Sequence, residues 1–209
     1  MDEAGRGAWA GPLVVAAIIL PPDWLGREYA DSKLLTPRAR ERLAAAAKAE
    51  AVAWSVSVSA AVEVDATGVL VTTLAAAVRA LAVLDPPPDG IITDYLRLKT
   101  SLPLLCPPRA DSTSFTVAAA SLIAKTTRDA LMRALDIELP GYGFARHKGY
   151  GVPQHAVALA GLGVSVEHRR SFRPIKVLLG LQQTAPAAEP TDLKAAPAGL
   201  ARVAPSRRR

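Results

Sequence analysis

An α/β or mixed three-layer domain is the fold class that the sequence predicts, on three observations. Leu13 to Leu20 is an eight-residue apolar run closed by Pro21-Pro22, the length and flanks of a buried strand. Residues 52–58 alternate large apolar with small side chains, the period-two pattern of a half-buried strand. Farther on, short apolar runs take turns with Ala- and Leu-rich stretches, so strands come first and then alternate with helices. The 209 residues are 50% hydrophobic and 21% charged, which suits one buried core with an appendage and excludes a wholly disordered or collagen-like chain.

After the strand at 13–20, Thr36-Pro37 sets an N-cap hydroxyl before a first-turn proline and predicts a helix to about Ala49. The next strand carries Val52, Trp54, Val56 and Val58 on one face and Ala53, Ser55 and Ser57 on the other. Thr72 to Leu84 reads as a helix stopped ahead of Pro86-Pro87-Pro88. Ile91-Ile92-Thr93-Asp94 is a short strand with a carboxylate at its end, and Leu102 to Cys106 is another. A long helix fits Thr116 to about Glu138, and a shorter one starts at Pro153. From Gln182 the composition changes to eight Ala and four Pro, with Leu193, Leu200 and Val203 as the large aliphatic residues. That is too little apolar surface to offset an ordering entropy of ~1–2 kcal/mol per residue. Residues 1–181 are therefore expected to form the folded domain and 182–209 a disordered, basic, Ala/Pro-rich tail.

The net charge of +6 invites a polyanionic partner, but half of the excess lies in the tail. In the body the positive charge is local: six Lys or Arg lie between Glu138 and Lys176 against two acids. The lone Cys106 excludes an intrachain disulfide and a thiolate zinc site, and a reducing cytoplasm is the expected compartment. No apolar run approaches the ~20 residues of a membrane span, and the start lacks the basic-then-apolar order of a secretory signal.

Several groups could carry chemistry. Asp2-Glu3-Ala4-Gly5-Arg6-Gly7 sets two acids against a flexible Gly-Arg-Gly; neighbours in a strand point to opposite faces, so both reach one ion only where the strand ends or bends. A solvated acidic terminus is the ordinary alternative. Asp94 ends an apolar strand, where an acid is either exposed at a sheet edge or held by a cation. Asp111 precedes the long helix as a ligand or as a dipole-capping acid. Ser121, Lys125 and Arg128 share one helix face, a phosphate-facing row or a solvated stripe. His147-Lys148-Gly149-Tyr150 offers a basic step beside an aromatic ring, as stacking on a sugar or base requires.

Five motifs occur in a fixed order: the one at Asp2 to Gly7, Asp31-Ser32-Lys33-Leu34-Leu35, the run Ala118 to Lys125 with Thr127-Arg128-Asp129, Tyr142-Gly143-Phe144 with His147-Lys148-Gly149-Tyr150, and His168-Arg169-Arg170-Ser171-Phe172. Together they closely resemble ribonuclease HII, the type 2 ribonuclease H family, from Asp2 to about Leu181. The resemblance implies a ribonuclease H-like fold, a mixed central sheet flanked by helices. It implies four metal-binding catalytic acids at Asp2, Glu3, Asp94 and Asp111, although Asp94-Tyr95 stands where the family often has Asp-Gly. Four carboxylates without clustered cysteine or histidine make an all-oxygen site, suited to two Mg²⁺ or Mn²⁺ ions. Gly5, Arg6, Gly7 and Tyr150 are implied to sense the RNA-to-DNA junction, and Ser32, Lys33, Ser121 and Lys125 to contact phosphates. The roles of Arg169 and Arg170 stay open.

The implied activity is cleavage of the RNA strand of RNA/DNA hybrids, and of duplex DNA on the 5′ side of single ribonucleotides, leaving 3′-hydroxyl and 5′-phosphate ends. Removal of misplaced ribonucleotides and RNA primers is the implied role, for a monomer with no membrane attachment. The family carries an apolar stretch ending in glycine before the acidic pair, whereas Met1 alone precedes Asp2 here, so the first strand is expected to be cut short and its end to fray. A hybrid-binding protein without activity and an integrase-like nuclease of the same fold are the other readings open at this stage.

Overall fold

The computed structural model of the chain describes residues 1–24 and 35–181. The tail expected at 182–209 and the phosphate contacts expected at Ser32 and Lys33 lie outside the described residues. Three antiparallel strands, β1 (Asp2–Ala4), β2 (Leu13–Ile19) and β3 (Ala53–Ser59), pair in the order β1-β2-β3. Ala4 lies opposite Val14, and Ile18 opposite Trp54. Two short parallel strands follow, β4 (Ile91–Ile92) and β5 (Leu104–Leu105). The helices are α1 (Pro37–Glu50), α2 (Ala61–Thr67), α3 (Val69–Ala82), α4 (Phe115–Glu138), α5 (Phe144–His147), α6 (Pro153–Leu162) and α7 (Arg173–Leu178).

β2 is buried on both faces, which is why it reads as an unbroken apolar run rather than an alternation. Val14, Ala16 and Ile18 face α1 and the alanine-rich stretch of α4 from Ala118 to Ala124. Leu13, Val15 and Ala17 face Ala76, Ala77 and Ala80 of α3, together with Met1, Ile91 and Leu96. Helices, sheet and helix thus form the predicted three layers. A third cluster around Met132, Tyr142, Phe144 and Leu159 fixes the segment that follows α4.

Most predicted elements stand within a residue or two, because their ends carry local signals. The Thr36 hydroxyl accepts the Ala39 N–H at 3.2 Å and starts α1 where Thr-Pro predicts it. Ser114 does the same for α4. The helix predicted from Thr72 begins instead at Val69 and is preceded by α2, the two being separated at Gly68 with φ of 82°. In β3 the serine face is the buried one. Small serines let α3 approach, and their hydroxyls find partners: Ser55 donates to the Ala80 carbonyl at 2.6 Å, and Arg79 donates to Ser57 and Ser59. Trp54 and Val58 are left 44% and 47% exposed.

The start of the chain is anchored where fraying was expected. Met1 is 5% exposed, and its amine donates to the Ile92 carbonyl at 2.8 Å, tying β1 to β4. Among the described residues no single helix is long and apolar enough to cross a membrane.

Candidate active site

Asp2 and Glu3 lie side by side in β1 and leave it on opposite faces. The glycine bend comes at Gly5, with φ of 93°, just past both acids. Asp94 follows β4, and its Oδ1 accepts the Ala110 N–H at 3.0 Å. Tyr95 beside it is 74% exposed and holds φ of 55°, a conformation that glycine adopts without strain. The backbone therefore keeps, at Tyr95, a turn of the kind that glycine makes without strain. Asp111 is buried in a 3-10 turn, Ala110–Ser112, where the Ser112 hydroxyl donates to its Oδ1 at 3.3 Å. The N-cap hydrogen bond of α4 comes from Ser114 and not from Asp111.

Burial, above all, pushes the Asp2 carboxyl up to about 7; the Ser121 hydroxyl opposes the shift, and the charges of Glu3 and Asp94 add to it. Glu3 is also raised, mainly by burial, with Arg6 pulling the other way and Asp94 pushing up. Neighbouring carboxylates thus disfavour the charged forms of Asp2 and Glu3, and an all-oxygen donor set of this kind fits a hard divalent cation. Among the described residues no three Asp, Glu, His or Cys side chains gather closely enough to hold an ion. Glu3 is paired with Arg6 at 3.0 Å, and Asp94 accepts the Ala110 amide.

Beside the acids runs a groove of about 430 Å³ lined by Glu3, Gly5, Arg6, Gly7, Ser121, Lys125 and Tyr150. It unites the residues that the sequence places in the junction sensor with two of its phosphate contacts. Lys125 is drawn to Asp129 at 2.7 Å, and its ammonium lies 5.9 Å from the Tyr150 ring centroid. Arg40, which the sequence analysis missed, lines the same groove from the first turns of α1. Its spacing of four from the Thr36 cap fixes its face of the helix, but only the packing of α1 on α4 shows what that face meets.

Arg128 does not join the polar row formed by Ser121 and Lys125, because it is fully buried. Its guanidinium donates to the carbonyls of Pro12, Lys148 and Ala10 at 2.8, 2.9 and 3.1 Å and lies 5.2 Å from the Tyr150 ring centroid. A Cβ at Gly5 would stand 2.1 Å from Arg128 Nε, so this contact demands glycine there. From the other side Tyr150 is fixed by histidines. The Gly149 N–H donates to His147 Nδ1 at 3.2 Å, and His147 Nε2 donates to the Tyr142 carbonyl. His155 Nδ1 donates to the Tyr150 carbonyl at 3.0 Å and its Nε2 accepts from His168 Nε2, whose Nδ1 accepts the Ser165 N–H. Each ring then has one donor and one acceptor nitrogen, so this bonding assigns all three as neutral.

Burial, with the neighbouring histidines adding to it, depresses His168 to about 4. The unfolded chain takes up this proton near the ordinary value of 6.5, so stability from this group is complete above 6.5 and is lost as pH falls toward 4. In an NMR titration of the folded protein the His168 ring should stay neutral through pH 5. Titration close to pH 6.5 with the fold intact would contradict the bonding assigned here.

The fold that sets this buried carboxylate beside a groove rimmed by Arg6, Arg40 and Lys125 is of the ribonuclease H-like class. Ribonuclease H2 from Pyrococcus horikoshii superposes on it with a TM-score of 0.73 at 26% identity, covering 85% of this chain and 94% of that one. Bst-RNase HIII, solved in complex with Mn²⁺, shares the fold with a TM-score of 0.63 at 23% identity, over 86% of this chain and 68% of its own. The chain belongs to the ribonuclease HII family, whose model matches residues 1–174. A ribonuclease HII of Thermus thermophilus is 57% identical over 175 residues, 84% of this chain and 85% of that protein. The protein is accordingly an endoribonuclease with ribonuclease H activity on RNA/DNA hybrids.

Proposed function

We propose that, besides the RNA strand of hybrids, this chain cuts duplex DNA on the 5′ side of a single embedded ribonucleotide, leaving 3′-hydroxyl and 5′-phosphate ends. One observation carries the reading: a single groove joins Gly5, Arg6, Gly7, Ser121, Lys125 and Tyr150 beside the Asp2-Glu3 pair. At one nucleotide only the 2′-hydroxyl tells RNA from DNA. Gly7 has open space where a Cβ would stand, so backbone can approach that hydroxyl. Tyr150, with its loop fixed from beneath, stacks on the deoxyribose that follows. Arg40, Ser121 and Lys125 take phosphates, which positions the duplex without reading its sequence.

Asp2, Glu3, Asp94 and Asp111 would hold two divalent ions, Mg²⁺ or Mn²⁺, which supply activation of water and stabilisation of the leaving 3′-oxygen when bound. Glu3 exchanges Arg6 for that role and frees the Arg6 guanidinium for a phosphate. The catalytic unit is residues 1–181, acting as a monomer in ribonucleotide and primer removal.

The test is incubation of the purified chain with Mg²⁺ or Mn²⁺ and a DNA duplex bearing one ribonucleotide, with an all-DNA duplex alongside. The reading expects one cut 5′ of the ribonucleotide, an upstream product that a polymerase extends, and a downstream product that a ligase joins. Cleavage of the all-DNA duplex, or none at the ribonucleotide, overturns it.

A further inference from the structure

Arg169 is fully buried and forms no ion pair among the described residues. Its Nη1 donates to the Gly5 carbonyl at 2.7 Å and to the Arg6 carbonyl at 3.1 Å, and Nε and Nη2 donate to the Gly11 carbonyl at 3.1 and 2.9 Å. Both peptide planes of the Gly5-Arg6-Gly7 loop therefore have their oxygens drawn inward to one guanidinium. The described cis peptide is Asp85-Pro86, so these two bonds are trans, and a planar trans peptide sets its N–H opposite its oxygen. The N–H groups of Arg6 and Gly7 then lie on the edge away from Arg169, in the loop that lines the groove, and neither makes a hydrogen bond among the described residues.

Arg169 is itself held firmly. Its backbone N–H donates to the Trp9 carbonyl at 2.7 Å. The next two amides, of Arg170 and Ser171, donate to the Asp65 carboxylate of α2 at 2.7 and 2.8 Å. Loop, guanidinium and helix form one braced unit, in which a planar fork reaches three carbonyls that an ammonium could not span together.

We propose that Arg169 is the positioning residue for ribonucleotide recognition: by holding the Gly5 and Arg6 carbonyls it presents the Arg6 and Gly7 amides as a paired donor to the 2′-oxygen. This rests on the reading of the groove given above. Arg169→Lys keeps the charge and loses the fork. Its kcat/KM on the one-ribonucleotide duplex should fall at least tenfold, while its affinity for an all-DNA duplex of the same sequence stays near wild type, even though the lost buried hydrogen bonds lower its melting temperature. A loss within threefold, or an equal loss of all-DNA affinity, overturns the proposal, since a merely structural role gives one or the other. If Arg169→Lys does not fold, ¹H–¹⁵N spectra of the wild-type chain decide: the Arg6 and Gly7 amides should shift with the ribonucleotide duplex and not with the all-DNA duplex, and amides unmoved by both refute it. Failure of the wild-type chain to cut any ribonucleotide duplex would instead sink the reading on which the proposal stands.

Discussion

Asp2→Asn is expected to lower cleavage by orders of magnitude and, with chelator present, to make the protein more stable. The two effects share one cause. In β1 the Asp2 carboxyl is buried among Glu3 and Asp94 and is pushed up to about 7 from an ordinary 3.8. Folded protein holds that proton longer than unfolded chain, so stability falls as pH rises from about 4 to about 7, and the full penalty applies above that window. A shift of this size corresponds to about 4 kcal/mol, as an upper bound. Asparagine keeps the shape and removes the charge, so the variant should melt higher than wild type at pH 8 in chelator and close to it at pH 4. Mg²⁺ competes with the proton for the same oxygen atoms, so it should raise the wild-type melting temperature more at pH 8 than at pH 5 and barely move the variant. A variant that melts below wild type at pH 8 in chelator would show that the Asp2 charge is already compensated by the protein.

Tyr150→Ala should cost about 1–3 kcal/mol of transition-state stabilisation on a one-ribonucleotide duplex, the range for loss of an aromatic stacking platform. Tyr150→Phe should retain most of it, because the ring and its place beside Arg128 and Lys125 remain. The alanine loss should be smaller on a long hybrid, where many positions satisfy the ribose requirement and no single junction must be found. Matched kcat/KM measurements on both substrates test this. Equal losses would make Tyr150 a general duplex contact and reject its role at the junction.

Much of this was legible in the sequence where the signal is local. Thr36 and Ser114 mark helix starts because a cap hydroxyl acts within three residues, and the apolar run of β2 marks a strand buried on both faces. The ordered motifs pointed to the groove residues that the fold then brings together. What could not be read depends on distant packing. Ser55, Ser57 and Ser59 look like a solvent face until α3 supplies their partners. Arg128 looks like part of a polar stripe until the carbonyls of Ala10, Pro12 and Lys148 surround it. Arg40 and Arg169 enter the site through contacts with residues tens of positions away or more, which no periodicity encodes. The bend expected at the acidic pair sits at Gly5, because pairing with β2 keeps Asp2 to Ala4 extended.

The central claim is that acids from β1, from the end of β4 and from the turn before α4 serve one divalent-ion site. Mn²⁺ titration of the full chain, followed by loss of the free-ion electron paramagnetic resonance signal, tests it most directly when wild type is compared with Asp94→Asn and Asp111→Asn. Each substitution removes a ligand charge without changing shape, so each should weaken Mn²⁺ binding by more than tenfold while the fold persists. Mn²⁺ binding that both variants retain at wild-type strength would contradict the claim and place the ion elsewhere.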